Sequence, residues 1–167
     1  PMAPPVEFLR ETFLPQLERM GARVALTMER PGFYPKGGGR IVAEIEPVTT
    51  WKPYVLEASD SAPEFTATAT LCGLPEHIAE RELAVIQRKL RLKDTEIETV
   101  FVRADSPGNA VQIRVTHPEI TEVFTGFGQK QVSAELVATN VACEVQAYRR
   151  SKAPVSEHLA DQLLLPM

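Results

Sequence analysis

The stretch Arg30-Pro31-Gly32-Phe33-Tyr34-Pro35-Lys36-Gly37-Gly38-Gly39-Arg40 restricts the fold more than any other part of this chain. Two prolines fix φ, and three consecutive glycines open positive φ and close backbone approach. No helix or strand runs through such a segment, so it must be a loop. The flanks say what it joins. Before it, Val24, Leu26 and Met28 alternate with Arg23, Thr27 and Glu29; after it, Ile41, Ala43 and Ile45 alternate with Val42, Glu44 and Glu46. Period-two alternation predicts two antiparallel strands, each with an apolar face. The loop spacing matches neither a Walker phosphate loop nor a Gly-x-Gly-x-x-Gly turn. Two readings follow. It is a tight turn with solvated basic ends, or its amides, with Lys36 and Arg40, hold a phosphate or an RNA backbone. The turn is the simpler of the two.

The rest of the chain reads as α+β. Residues 4–20 predict a helix on Val6, Leu9, Phe13, Leu17 and Met20, with Pro15 as a kink or break and Gly21 past the end. Residues 47–64 carry loop chemistry, and a domain boundary is expected near Trp51. A strand over 65–71 precedes a helix opening near Pro75. Its buried stripe is Ala79, Leu83, Ile86 and Leu90, and Glu80, Arg81, Glu82, Arg88 and Lys89 make its solvated face. Strands are expected at 97–103, around Val111–Val115 and at 120–127, then a long helix from about Lys130 to Arg150. A short helix over 155–165 follows, with Ser156 as N-cap and His158, Asp161 and Gln162 on one face. Those three either grip a polar ligand or merely cap and solvate the helix.

Charge and cysteine usage exclude some roles. Residues 51–128 carry eight Lys/Arg against twelve Asp/Glu and hold all of the net charge of −4, so a general nucleic-acid-coating role is disfavoured. Cys72 and Cys143 lie far apart among apolar neighbours and are expected to be buried thiols, which suits a reducing, cytoplasmic compartment. No membrane-spanning run or signal-peptide pattern is present. His77, His117 and His158 are scattered, with no catalytic triad or metal-ligand spacing. The apolar end Leu163-Leu164-Leu165-Pro166-Met167 suggests a fragment of a longer protein.

Six stretches in order resemble the RNA 3′-terminal phosphate cyclase family: Met2-Ala3-Pro4-Pro5, the glycine loop, Ala79-Glu80-Arg81-Glu82, Pro107-Gly108-Asn109, Gly128-Gln129-Lys130-Gln131-Val132-Ser133-Ala134-Glu135, and Leu159-Ala160-Asp161-Gln162-Leu163-Leu164-Leu165-Pro166. The loop and the Ala-Asp-Gln-Leu-Leu-Leu-Pro stretch are the specific ones. The resemblance implies an incomplete repeat of an α+β sheet domain similar to the C-terminal domain of translation initiation factor 3, interrupted by a smaller inserted α/β domain of about four strands and two helices. Residues 1–50 and 150–167 would belong to the large catalytic domain and residues 51–149 to the insert.

The implied activity is ATP-dependent conversion of an RNA 3′-phosphate to a 2′,3′-cyclic phosphate, with a divalent metal (Mg or Mn) and through enzyme-adenylate and RNA-adenylate intermediates. The implied adenylate-site residues are His158, Leu159, Ala160, Asp161 and Gln162, with Pro4 on the other face of the base. His158 stands where relatives carry a stacking tyrosine. The family's nucleophilic histidine would lie downstream of this chain, which would leave no catalytic or metal-binding residue within it. A non-catalytic cyclase-like factor of ribosomal RNA processing, and a plain interaction module built on the acidic middle segment, are the alternatives.

Overall fold

The computed structural model describes residues 4–166; Met2 and Ala3 of the first family-like stretch lie outside them. The described chain is mixed α+β with two sheets. It opens with helix α1 (Val6–Phe8), continued by a π-helical turn, Leu9–Phe13, and by α2 (Leu14–Arg19). Pro15 therefore does not break the helix. The Leu14 N–H bonds five residues back, to the Leu9 carbonyl, and the widened turn gives the proline ring room against the preceding carbonyls. The buried line of this stretch is Phe8, Thr12 and Gln16 together with the expected Val6; of the other expected residues, Leu9 and Phe13 are half-buried and pack against Phe8, Ile120, Val123 and Leu159, and Leu17 and Met20 are half-buried. Two polar residues occupy that face, so apolar spacing pointed one residue aside.

Strands β1 (Arg23–Arg30) and β2 (Arg40–Glu46) pair antiparallel, with Val24 opposite Ile45 and Met28 opposite Ile41. This two-stranded ribbon leaves Ile41 and Ile45 largely exposed, and a ribbon of that kind is marginal on its own. The loop between them packs on the segment 105–109. The Lys36 N–H donates to Ser106 Oγ (3.2 Å), and the Gly37 N–H donates to the Phe33 carbonyl (2.8 Å). A Cβ on Gly108 would lie 2.5 Å from the Phe33 ring, so the aromatic packs directly against bare backbone there.

The second sheet has the order β4-β3-β5-β6, built from β3 (Glu64–Cys72), β4 (Ile97–Phe101), β5 (Gly108–Thr116) and β6 (Thr121–Phe127). β3 and β4 run parallel, joined by α3 (His77–Leu90); the other neighbours are antiparallel. α4 (Ala134–Ser151) packs beside α3 on the same face, over Val111, Ile113, Val115 and Phe124. α4 starts later than Lys130 because Gln131 has φ 67° and Ser133 is the cap, its Oγ accepting from the Leu136 N–H. The opposite face carries Gln112 and Arg114, and α1–α2 lies across it. Glu11 accepts two bonds from Arg114 (2.6 and 3.2 Å), and Thr12 Oγ1 accepts the Val123 N–H (3.1 Å). Burial works to raise the Glu11 carboxyl, but the Arg114 and Arg10 guanidiniums bring it below its ordinary value.

Two expectations are corrected. Glu82 is not on a solvated face: it is 0% exposed and accepts from Asn109 Nδ2 at 2.6 Å. Cys143 is exposed on α4 while Cys72 is buried, because α4 buries Val137, Val141 and Val145 and turns Cys143 away. No helix is long and apolar enough to cross a membrane among the described residues.

Candidate functional site

The last helix, α5 (Glu157–Leu163), is held by a buried carboxylate. Glu122 on β6 is 0% exposed and accepts both donors of Ser156, the N–H at 2.5 Å and the hydroxyl at 2.8 Å. Ser156 Oγ in turn accepts from the Leu159 N–H at 3.2 Å. One side chain thus caps the helix and ties it to the sheet. Burial raises the Glu122 carboxyl, and the two bonds from Ser156 oppose that shift. Leu159, fully buried, then packs with Phe8, Ile120 and Val123. With Leu159 pointing inward, one helical turn directs His158, Asp161 and Gln162 elsewhere, onto a cleft.

That cleft holds about 400 Å³ and lies along β6. Pro4, Pro5 and Phe8 form its wall from the N-terminal stretch, and His158, Asp161 and Gln162 form its wall from α5. Thr125 and Phe127 on β6 and Glu144 on α4 complete it. β6 is a sheet edge among the described residues. The bond from the Gly128 N–H to the Asn109 carbonyl places even-numbered β6 residues in the ladder with β5. The N–H and C=O of Thr125 and Phe127 therefore face outward on the free edge, as the Val123 N–H does toward Thr12. Thr125 Oγ1 is buried and has no hydrogen-bond partner among the described residues. Burial raises the Glu144 carboxyl, and the nearby His158 partly offsets that.

The expected residues divide. Pro4, His158, Asp161 and Gln162, drawn from the two ends of the chain, line one cavity. Leu159 belongs to the core beneath it, and Ala160 is exposed outside it. Phe8, Thr125, Phe127 and Glu144 also line it and were not singled out from sequence. Phe127 carried the one usable signal, an aromatic at the end of a strand whose alternation sends it away from the helix-covered face. A larger groove of about 840 Å³ lies at the β1–β2 ribbon, where Arg23, Glu44 and Glu46 line it together with Glu18 and Lys52. Among the described residues no group of three or more His, Cys, Asp and Glu side chains is gathered to hold a metal ion.

Chemically, the β6 cleft offers apolar walls, an imidazole, two carboxyls, an amide, and a strip of backbone donors and acceptors left open among the described residues. Such a set suits a flat heterocycle with polar groups on its rim. The other family-like stretches gather at a different place. Ala79–Glu82, Pro107–Asn109 and Gly128–Glu135 meet at one end of the four-stranded sheet through the Glu82–Asn109 bond and a two-bond Arg81–Glu135 pair (2.7 and 2.8 Å).

A family model described as RNA 3′-terminal phosphate cyclase matches residues 1–167. The RNA 3′-terminal phosphate cyclase of Pseudomonas aeruginosa strain UCBPP-PA14 is 45% identical over 168 residues, covering 100% of this chain and 49% of that protein. The protein of the same name from Koribacter versatilis strain Ellin345 is 45% identical over 166 residues, covering 99% of this chain and 47% of its own length. One from Ectopseudomonas mendocina is 39% identical over 168 residues. The chain spans about half the length of the curated relatives it matches. Similarity of that extent, running from the first residue to the last, shows that this chain belongs to the RNA 3′-terminal phosphate cyclase family.

Proposed function

We propose that this chain is part of an enzyme that uses ATP to convert an RNA 3′-phosphate to a 2′,3′-cyclic phosphate, and that the β6 cleft takes the adenylate. Residues 1–50 and 150–167 are assigned to its large catalytic domain and 51–149 to an insert, acting in the cytoplasm. ATP enters with a divalent metal, Mg or Mn, which neutralises phosphate charge. AMP passes through an enzyme-adenylate and an RNA-adenylate before the 2′-hydroxyl closes the ring. The nucleophilic imidazole belongs to a part of the enzyme outside this chain, and His158 has a stacking role.

One observation carries this reading: Pro4 and the α5 residues His158, Asp161 and Gln162 line the same cavity. A base lying there has an imidazole and a proline ring within one cleft, and its rim reaches the free N–H and C=O of Thr125. The buried hydroxyl of Thr125 is a further polar group without a partner among the described residues. Asp161 and Gln162 offer an acceptor and an amide to the ribose.

The test uses the full-length protein that carries this chain. Titration with ATP should show binding that Asp161→Ala and His158→Ala each weaken about tenfold, the loss of one good contact. Incubation with ATP, metal and a 3′-phosphorylated RNA should yield the cyclic end. The 167-residue chain alone should take up no acid-labile adenylate. Unchanged ATP affinity in both variants, or covalent label on the isolated chain, refutes the assignment.

A further inference from the structure

Among the described residues, seven of the eighteen Lys and Arg side chains form ion pairs: Arg10, Arg19, Arg23, Arg30, Arg40, Arg81 and Arg114. Of the eleven that do not, seven lie in two short segments: Arg88, Lys89, Arg91 and Lys93 at the end of α3, and Arg149, Arg150 and Lys152 at the end of α4. All seven are exposed. The topology brings the two segments together. β3 and β6 both run antiparallel to β5, so α3 and α4 leave the same end of the sheet and return side by side. Gln146 Nε2 donates to the Lys89 carbonyl at 3.5 Å, one helical turn before Arg149 and Arg150.

Helix ends alone do not account for this. A helix C-terminus carries about −0.5 charge, so two of them call for roughly one cation. Seven are present. Carboxylates do lie nearby: Asp94 accepts from Gln87, Glu96 accepts the Lys93 N–H, and Glu57 and Asp60 share a hollow with Arg149 and Lys152. None of them is ion-paired with any of the seven. The patch stands out in a chain whose net charge is −4.

We propose that the paired C-terminal ends of α3 and α4 form a docking surface for the phosphodiester backbone of RNA. Charge complementarity selects a polyanion, and the choice of RNA rests on the substrate class of the proposed function. Along α4, Arg149 and Arg150 follow the cleft residue Glu144 by roughly 8 Å at 1.5 Å per residue. Nucleotides upstream of a 3′ end held at the cleft have cations to meet there. Contacts of this kind position the strand without reading its sequence.

The experiment measures binding of the full-length protein to a fluorescent single-stranded oligoribonucleotide ending in a 3′-hydroxyl, at several salt concentrations. Two double variants are compared with the parent: Arg88→Glu/Lys89→Glu, and Arg150→Glu/Lys152→Glu, which spares Arg149 where it stacks over Phe65. Each should weaken RNA binding about tenfold or more and flatten the salt dependence, because fewer counterions are released. Both should bind ATP as the parent does, and Lys52→Glu should leave RNA affinity unchanged. RNA affinity within twofold of the parent in both double variants overturns the proposal. So does a parent that binds no RNA at low salt, or an acidic polypeptide that competes as well as RNA. A parent that binds this RNA but not ATP would instead sink the nucleotide site and leave the surface standing.

Discussion

Replacing Glu82 with glutamine should make the protein more stable at pH 8 and less sensitive to pH. Glu82 is 0% exposed; one oxygen accepts from Asn109 Nδ2 at 2.6 Å, and the other has no partner. Burial pushes its carboxyl up to about 7 from the 4.5 ordinary for it, and the Asn109 bond opposes that only in part. The folded state therefore holds its proton more tightly than the unfolded chain. Stability from this group is fully present below about pH 4.5, falls as pH rises toward 7, and is flat above. A shift of 2.5 pH units at about 1.36 kcal/mol per unit gives about 3 kcal/mol lost between those limits, as an upper figure. Glutamine keeps an oxygen for Asn109 and carries no charge. The assay is urea unfolding of parent and Glu82→Gln at pH 5 and pH 8. The variant should be ahead by about 1–3 kcal/mol at pH 8, and the gap should be much smaller at pH 5. An equal gap at the two pH values, or none at pH 8, refutes the reasoning.

Three other outcomes follow from the packing. Gly128→Ala places a Cβ 1.7 Å from Asn109 Oδ1, so it should destabilise by about 2 kcal/mol or more and expose the same joint in hydrogen exchange. Leu159→Ala empties the fully buried position under α5; a loss of about 2–5 kcal/mol in denaturant unfolding is expected, and ATP binding should weaken with it. Ser156→Ala removes the hydroxyl that accepts the Leu159 N–H and donates to Glu122, leaving the backbone N–H as the one bond from residue 156 to Glu122; it should cost about 1 kcal/mol and weaken ATP binding more than Arg10→Ala, a distant exposed change, which should do neither.

Strand alternation made β1, β2, β3, β5 and β6 readable, and Ser156 announced α5 through its capping chemistry. Two kinds of residue were misread. Thr12 sits on a buried helical face because its partner is elsewhere: it takes a β6 N–H more than a hundred residues away, and Gln16 is buried one turn further along the same face. Periodicity of apolar residues cannot register a buried polar one. Glu82 looked like a solvated acid for the same reason, since Asn109 becomes its neighbour only when β5 lies under α3. Cys143 erred the other way, as an exposed thiol among small apolar residues on the solvent side of α4.

At the cleft, local sequence determined the polar face of α5, because His158, Asp161 and Gln162 repeat at helical spacing whatever surrounds them. It also determined that the Arg30–Arg40 segment is a loop, through proline and glycine stereochemistry alone. Tertiary structure decided that Pro4 joins that face and that Thr125, Phe127 and Glu144 complete the cleft. It decided too that Glu122 is the anchor of the helix. Capping and periodicity act over a few residues and are written into neighbouring side chains. The walls of a cavity come from elements that meet only when the buried carboxylate and the apolar contacts under Leu159 draw them together.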